Sequence, residues 1–164
     1  MLKNDEFDRL VDKVAAVEDP EVPVSLSDLG VLRSVSRTDR GVHIVLRATK
    51  IGCPGKNKMT SDIVSACESI RSDLAVQVEW DLQPWTPDEV SEQGRRVLRE
   101  FGIVIETGVA MACPYCSSDA VELLSEYGGS ICKVPHRCGA CGSMFEQLRS
   151  VDVVQSVSIG KKMR

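Results

Sequence analysis

Histidine is scarce in this chain of 164 residues, which has only two, His43 and His136. No Ser/His/Asp set can be assembled from them, and no glycine-rich phosphate loop is present. Acid–base catalysis is therefore poorly supplied. A basic excess is missing too: the formal net charge is -4 and the pI near 5.3, so affinity for nucleic acid is not expected. No apolar run approaches the ~20 residues needed to span a bilayer. The opening Met1-Leu2-Lys3-Asn4-Asp5-Glu6 has no hydrophobic signal core. Together these absences predict a cytoplasmic protein, off the membrane, whose thiols stay reduced. Apolar residues make up 43% and charged residues 27%, proportions of a globular chain forming one ordinary domain or two small ones.

What the chain does have is cysteine. Four of its seven fall in two identical clips, Cys113-Pro114-Tyr115-Cys116 and Cys138-Gly139-Ala140-Cys141, separated by residues 117–137. Two thiolates three positions apart grip one ion from a tight turn, and a second such turn completes the tetrahedron of a structural zinc site. Ser117-Ser118 and Gly142-Ser143 follow the clips, small residues that let backbone amides turn toward sulfur. Iron, alone or as a cluster, fits the same four thiolates. Two disulfides are the alternative that reduced thiols disfavour. Cys132 and His136, within the loop, stand as substitute ligands or as parts of a second metal position.

Ahead of this module the hydrophobic pattern is periodic. Phe7, Leu10, Val11, Val14 and Val17 recur at helical spacing after Asn4, a capping residue, and Pro20 lies beyond the helix. Residues 31–37 and 42–48 read as strands joined by the turn Thr38-Asp39-Arg40-Gly41. Met59, Ile63, Cys67 and Ile70 form the stripe of a second helix, and residues 75–80 a third strand. Thr86-Pro87-Asp88-Glu89 carries a capping box, which predicts a third helix burying Val90, Val97, Leu98 and Phe101 and stopping at Gly102. Residues 103–112 read as a linker or short strand. In the ribbon, residues 120–126 and 144–148 read as strands with a turn at Gly128-Gly129, and the tail is expected to be disordered. The predicted fold is α+β: a small αββαβα domain with a mixed sheet over 1–108, a zinc ribbon over 109–150, and a tail over 151–164.

Cys53 lies between the second strand and the second helix. A thiol just ahead of a helix meets unpaired amides and the positive end of the dipole, which predicts a lowered pKa and a ligand or nucleophile. A small residue in a tight turn is the plainer reading. Cys67, on the apolar stripe, reads as a buried structural thiol. Asp19, Glu21 and Asp28 cluster in the first connecting segment, where carboxylates shape a site or simply cap turns. His43 reads as an exposed strand residue.

Asp19-Pro20-Glu21-Val22-Pro23, Asp28-Leu29-Gly30-Val31 and Gly52-Cys53-Pro54 resemble the signature segments of the metal–sulfur cluster assembly family, the MIP18-like domain. Trp85-Thr86-Pro87-Asp88, residues 91–98, Phe101-Gly102-Ile103, the first clip, Cys132-Lys133 and Arg137-Cys138 look like the D-component family of bacterial phenylacetyl-CoA epoxidase systems. The resemblance covers about residues 4–149. It implies an accessory protein, not an enzyme, that matures or maintains an iron or iron–sulfur centre in oxygenase or reductase subunits of a multicomponent epoxidase. It also implies that Cys53 binds iron or a cluster transiently, with Asp19, Glu21, Asp28 and Thr49 at neighbouring motif positions. Cys113, Cys116, Cys138 and Cys141 match its ribbon cysteines and Cys132 a further loop cysteine. Where that family usually reads Thr-Tyr-Ser-Gly-Cys-Pro, this chain has Thr49-Lys50-Ile51-Gly52-Cys53-Pro54, losing a ring and gaining charge. The rival readings are a scaffolding subunit and a thiol redox protein, and assembly with further copies of the chain is left open.

Overall fold

The computed structural model describes residues 2–50, 52–105, 111–126, 128–130 and 132–148. The tail expected at 151–164 lies outside them. Helix α1 spans Asn4–Ala15 and buries Leu10 and Val14. Lys3, not Asn4, holds its cap position; its N–H donates to the Glu6 carboxylate at 2.9 Å, while Asn4 accepts from Arg37 at 3.0 Å. The chain then runs irregularly to residue 31, yet buries Val22, Val24, Leu26, Leu29 and Val31. An irregular segment tolerates burial only if its backbone groups are paired. Here Leu26 N–H donates to Val17 O at 2.7 Å and Asp19 N–H to Val24 O at 3.0 Å.

Strands β1 (Leu32–Arg37) and β2 (Gly41–Arg47) form the expected antiparallel hairpin, and β3 (Ala75–Asp81) joins β2 in parallel after helix α2 (Lys56–Glu68). The register sets Val42, Ile44 and Leu46 beside Val76, Val78 and Trp80, so one face of the sheet is continuously apolar. Helix α2 turns Met59, Ile63 and Cys67 inward and receives a hydrogen bond from Trp80 Nε1 to Thr60 Oγ1 at 3.2 Å. Gly41 allows the parallel pairing: a Cβ there would sit 1.8 Å from the Ala75 carbonyl oxygen. On the other face His43 pairs with Glu79 at 2.9 Å.

The third helix departs from expectation. Pro87–Glu89 makes a single 3-10 turn, Thr86 forms no side-chain cap, and Val90 is extended. Helix α3 starts anew at Glu92 and ends at Glu100, capped by Ser91, whose Oγ accepts from Gly94 N–H at 2.9 Å. The reason is competition for Glu89, whose carboxylate is held by Arg47 at 2.8 Å and Arg33 at 3.1 Å instead of closing a capping box. Leu98 and Val90 are buried as expected, but Phe101 caps the helix end and is 62% exposed.

A second sheet has the order β4-β7-β6-β5, from β4 (Ile103–Ile105), β5 (Val121–Leu123), β6 (Lys133–Cys138) and β7 (Met144–Leu148). Strand β6 falls where a loop is expected, and β5 is shorter than residues 120–126. The short strand after α3 pairs in parallel with β7 and so becomes part of the ribbon's sheet. Ile103, Cys132 and Leu148 pack into the large N-terminal core, while Val104, Cys113, Cys138 and Phe145 form a smaller one. The result is the α+β fold with a C-terminal ribbon. No helix among the described residues is long and apolar enough to cross a membrane.

Candidate metal centre and thiol–carboxylate cleft

The two clips fold into matching knuckles. Cys113 N–H donates to Ser118 O and Ser117 N–H to Cys113 O; Cys138 N–H donates to Ser143 O and Gly142 N–H to Cys138 O, all at 2.9 Å. Each turn closes through a left-handed residue, Ser117 at φ 60 and Gly142 at φ 76. Between the knuckles, Cys113 and Cys141 sulfurs are 3.7 Å apart and Cys116 and Cys138 sulfurs 3.5 Å, with all four within 4.8 Å of one another. A tetrahedron with bonds of about 2.3 Å to zinc has edges of about 3.8 Å, so the four thiolates fit that ion. The Ser143 hydroxyl and amide draw Cys141 down to about 6, and the Cys141 and Ala140 amides lower Cys138. Cys116 also receives the Ser118 amide, but hydrogen bonding with Cys138 pushes it up to about 12. Metal entry must expel such protons, so affinity falls with falling pH.

The second site forms where the first connecting segment meets the turn before α2. Asp19 Oδ1 accepts from the N–H groups of Glu21 and Val22 at 2.8 and 3.2 Å, which turns the chain. Pro20 then abuts the Cys53 turn: a Cβ on Gly55 would lie 2.9 Å from Pro20 Cγ and 3.5 Å from Cys53 Sγ. The ribbon closes the assembly, because Cys132 S–H donates to Glu21 Oε2 at 3.5 Å. Asp19, Glu21, Thr49 and Cys132, walled by Val22, Leu29 and Leu148, enclose about 10 Å³ of space. That admits about one water-sized occupant.

The electrostatics correct one expectation. Cys53 is half-buried, and its pKa is raised, first by burial, then by the Asp19 and Glu21 charges, against the Gly55 amide and Lys56. Desolvation outweighs the helix end. Burial likewise pushes Cys132 up to about 11, with Glu21 and Cys53 adding to it, and Cys67 up to about 11. Asp19 is raised by its own burial despite the two amides it accepts from.

The structure gathers Asp19, Glu21 and Thr49 around one cavity and sets the Cys53 turn against Pro20 beside it, but it does not bring Asp28 there. That carboxylate binds Ser25 Oγ at 2.8 Å and Ser91 Oγ at 2.5 Å, and its carbonyl accepts from Ser91 N–H at 2.8 Å, locking the segment to the start of α3. Cys132 does not join the four ribbon sulfurs: it precedes a strand of six residues that ends at Cys138, a reach of about 20 Å. His136 stacks on Phe145 at 5.7 Å and meets Gln147 at 3.2 Å. Alternation of buried Val134, His136 and Cys138 was the signal for β6, and hence for where Cys132 lies.

Both parts of the chain have counterparts among known proteins. A family model described as iron–sulfur cluster assembly protein matches residues 10–80, and one described as PaaD zinc beta ribbon domain matches residues 105–149. Over 148 residues the chain is 32% identical to an Escherichia coli (strain K12) protein whose name provisionally makes it the D component of a 1,2-phenylacetyl-CoA epoxidase; 84% of this chain and 89% of that one are covered. It is 29% identical to an Fe-S protein maturation auxiliary factor of Porphyromonas gingivalis, over 55% of this chain and 91% of that one. In fold, 58% of the chain matches 93% of a domain of unknown function from Bacillus anthracis, with a TM-score of 0.52 and 23% identity. The chain belongs to the family of phenylacetyl-CoA epoxidase D components, with that family's iron–sulfur cluster assembly domain and zinc β-ribbon.

Proposed function

We propose that the chain is an accessory maturation factor that takes iron or an iron–sulfur fragment as cargo at Cys53 and passes it to an oxygenase or reductase component of a multicomponent phenylacetyl-CoA epoxidase. The observation that carries this reading is the packing of the Cys53 turn against Pro20, with Asp19 and Glu21 on either side of it in the chain and close enough for their charges to act on the thiol. The Porphyromonas gingivalis relative named as an Fe-S protein maturation auxiliary factor supports it. Residues 1–108 carry the cargo site and residues 109–150 the ribbon, both working in the cytoplasm. Zinc is the ion proposed for Cys113, Cys116, Cys138 and Cys141, where it would fix the two knuckles without taking part in transfer.

The chemistry divides by retention. Four thiolates in a closed tetrahedron hold their ion, whereas the Cys53 thiol, with a raised pKa, recovers its proton readily and lets its cargo go. Asp19 and Glu21 supply the negative charge that attracts a cation and compensates the cost of bringing it out of water. Thr49 forms part of the wall.

The test is complementation of a strain lacking this gene, reading growth on phenylacetate and iron per client protein. Cys53→Ser is expected to leave fold, zinc and partner binding intact while lowering both readouts. Normal growth and normal client iron with this variant would leave scaffolding as the function.

A further inference from the structure

Strand β4 ends the second sheet, with β7 on one side and no strand on the other among the described residues. Its side chains are anchored, Ile103 in the large core and Val104 in the small one. Glu146 N–H donates to Gly102 O at 2.9 Å, and the parallel register sets Ile103 beside Glu146 and Ile105 beside Leu148. In that pattern the N–H and C=O groups of Ile103 and Ile105 point away from β7. An edge of this kind is a template for a further strand. It borders a groove of about 440 Å³ whose opposite wall is α3. Glu92, Arg95, Arg96 and Arg99 line that wall, at the spacing of one helix face. Arg95 is steered by the Val90 and Pro87 carbonyls, to which its guanidinium donates at 3.3 and 2.6 Å, and Arg96 by the Gln93 side chain. None of the three arginines forms an ion pair among the described residues, so in a chain of net charge -4 this groove keeps an excess of positive charge.

We propose that this groove receives an extended acidic segment of a partner protein, which adds to the outer edge of β4 as a further strand and sets its carboxylates against Arg95, Arg96 and Arg99. Two features select that occupant. An extended polypeptide offers a strand edge the alternating N–H and C=O groups it needs, whereas a nucleic acid or a free phosphate answers the arginines alone. Arg95 and Arg99 stand about 6 Å apart along the helix axis, and alternate residues of a strand about 6.6 Å, so carboxylates at every second position meet successive arginines. Paired bonds from guanidinium to carboxylate then fix a register that backbone bonds alone leave open. A second copy pairing β4 to β4 is disfavoured, because it brings a second arginine wall to the first. The surface is independent of any cargo at Cys53, since a scaffolding subunit needs a docking groove as much as a carrier does.

The probe is a labelled synthetic peptide alternating glutamate with valine, followed by fluorescence anisotropy on the zinc-loaded full chain. Binding is expected at low ionic strength, weakening as salt screens the charges, with slower amide exchange at Ile103 and Ile105. Arg96→Glu combined with Arg99→Glu, both at exposed positions of α3, should keep fold and zinc and weaken binding by roughly tenfold or more. A lysine–valine peptide should bind that double variant and not the wild type. Methylating alternate amide nitrogens of the glutamate peptide removes the donors from one edge only, so one methylated form is expected to lose binding and the other to keep it. No binding by the wild type overturns the groove as a docking site. Undiminished binding by the double variant overturns the arginine wall, and undiminished binding of both methylated forms overturns strand addition. An oligothymidylate bound as tightly as the peptide overturns the peptide occupant in favour of polyanions at large. Exchange at Ile103 that slows with chain concentration and not with peptide puts a second copy in the groove and likewise overturns the proposal.

Discussion

Ser117 holds the first knuckle at φ 60, in the left-handed region that Gly142 occupies in the second knuckle. A side chain there costs about 1–2 kcal/mol that glycine avoids. Ser117→Gly is therefore expected to stabilise the metal-bound ribbon by up to about 1 kcal/mol after glycine's entropic cost, read from urea unfolding with zinc present. Cys67 makes the opposite case. It is fully buried on the stripe of α2, so Cys67→Ser buries a hydroxyl in an apolar core and should cost about 1–3 kcal/mol. Timed alkylation and peptide mapping of the native protein should modify half-buried Cys53 before Cys67, and the reverse order would contradict the packing of α2. The buried role of Cys67 was legible from helical spacing alone. The titration of Cys53 was not, because local sequence shows the helix end beside it but not the two carboxylates and the desolvation that folding adds.

Strand β2 ends at Arg47, which ties three elements together through Asp81 at 2.6 Å and Glu89 at 2.8 Å. The Asp81 carboxyl is held below its ordinary value, first by the Gln83 N–H and then by Arg47. A carboxylate whose pKa is lower folded than unfolded adds stability above its unfolded value of about 3.9 and loses it as pH falls through the folded value. The stability advantage of the wild type over Asp81→Asn is thus expected at neutral pH and should shrink on acidification through that window, measured by denaturant unfolding at a series of pH values. This same network explains what was and was not legible among the elements. The hairpin, α2 and β3 follow from unbroken periodicity, whereas the start of α3 depends on Glu89 being claimed by arginines more than forty residues earlier in the chain. Strand β6 is only weakly marked in the sequence, because its alternation of Val134, His136 and Cys138 runs through a histidine and past Pro135, and the position of Cys132 is obscured with it.

The two modules share more than a linker. Strand β4 leaves α3 and pairs with β7, and Ile103, Cys132 and Leu148 complete the N-terminal core. Removing the ribbon's metal, by chelation or Cys116→Ser, is accordingly expected to raise amide hydrogen exchange in β6 and β7 and also in β4. Exchange that stays confined to residues 111–148 would contradict this coupling. Burial of Cys132 beside Leu29 and Glu21 also has a meaning in time. The ribosome makes chain at about 5–20 residues per second, so Cys53 emerges several seconds before Cys132. Throughout that interval the nascent first module has an uncovered wall. A protein truncated before β6 by an arrested ribosome therefore leaves Leu29 and Glu21 without the cover that Cys132 and Leu148 give them.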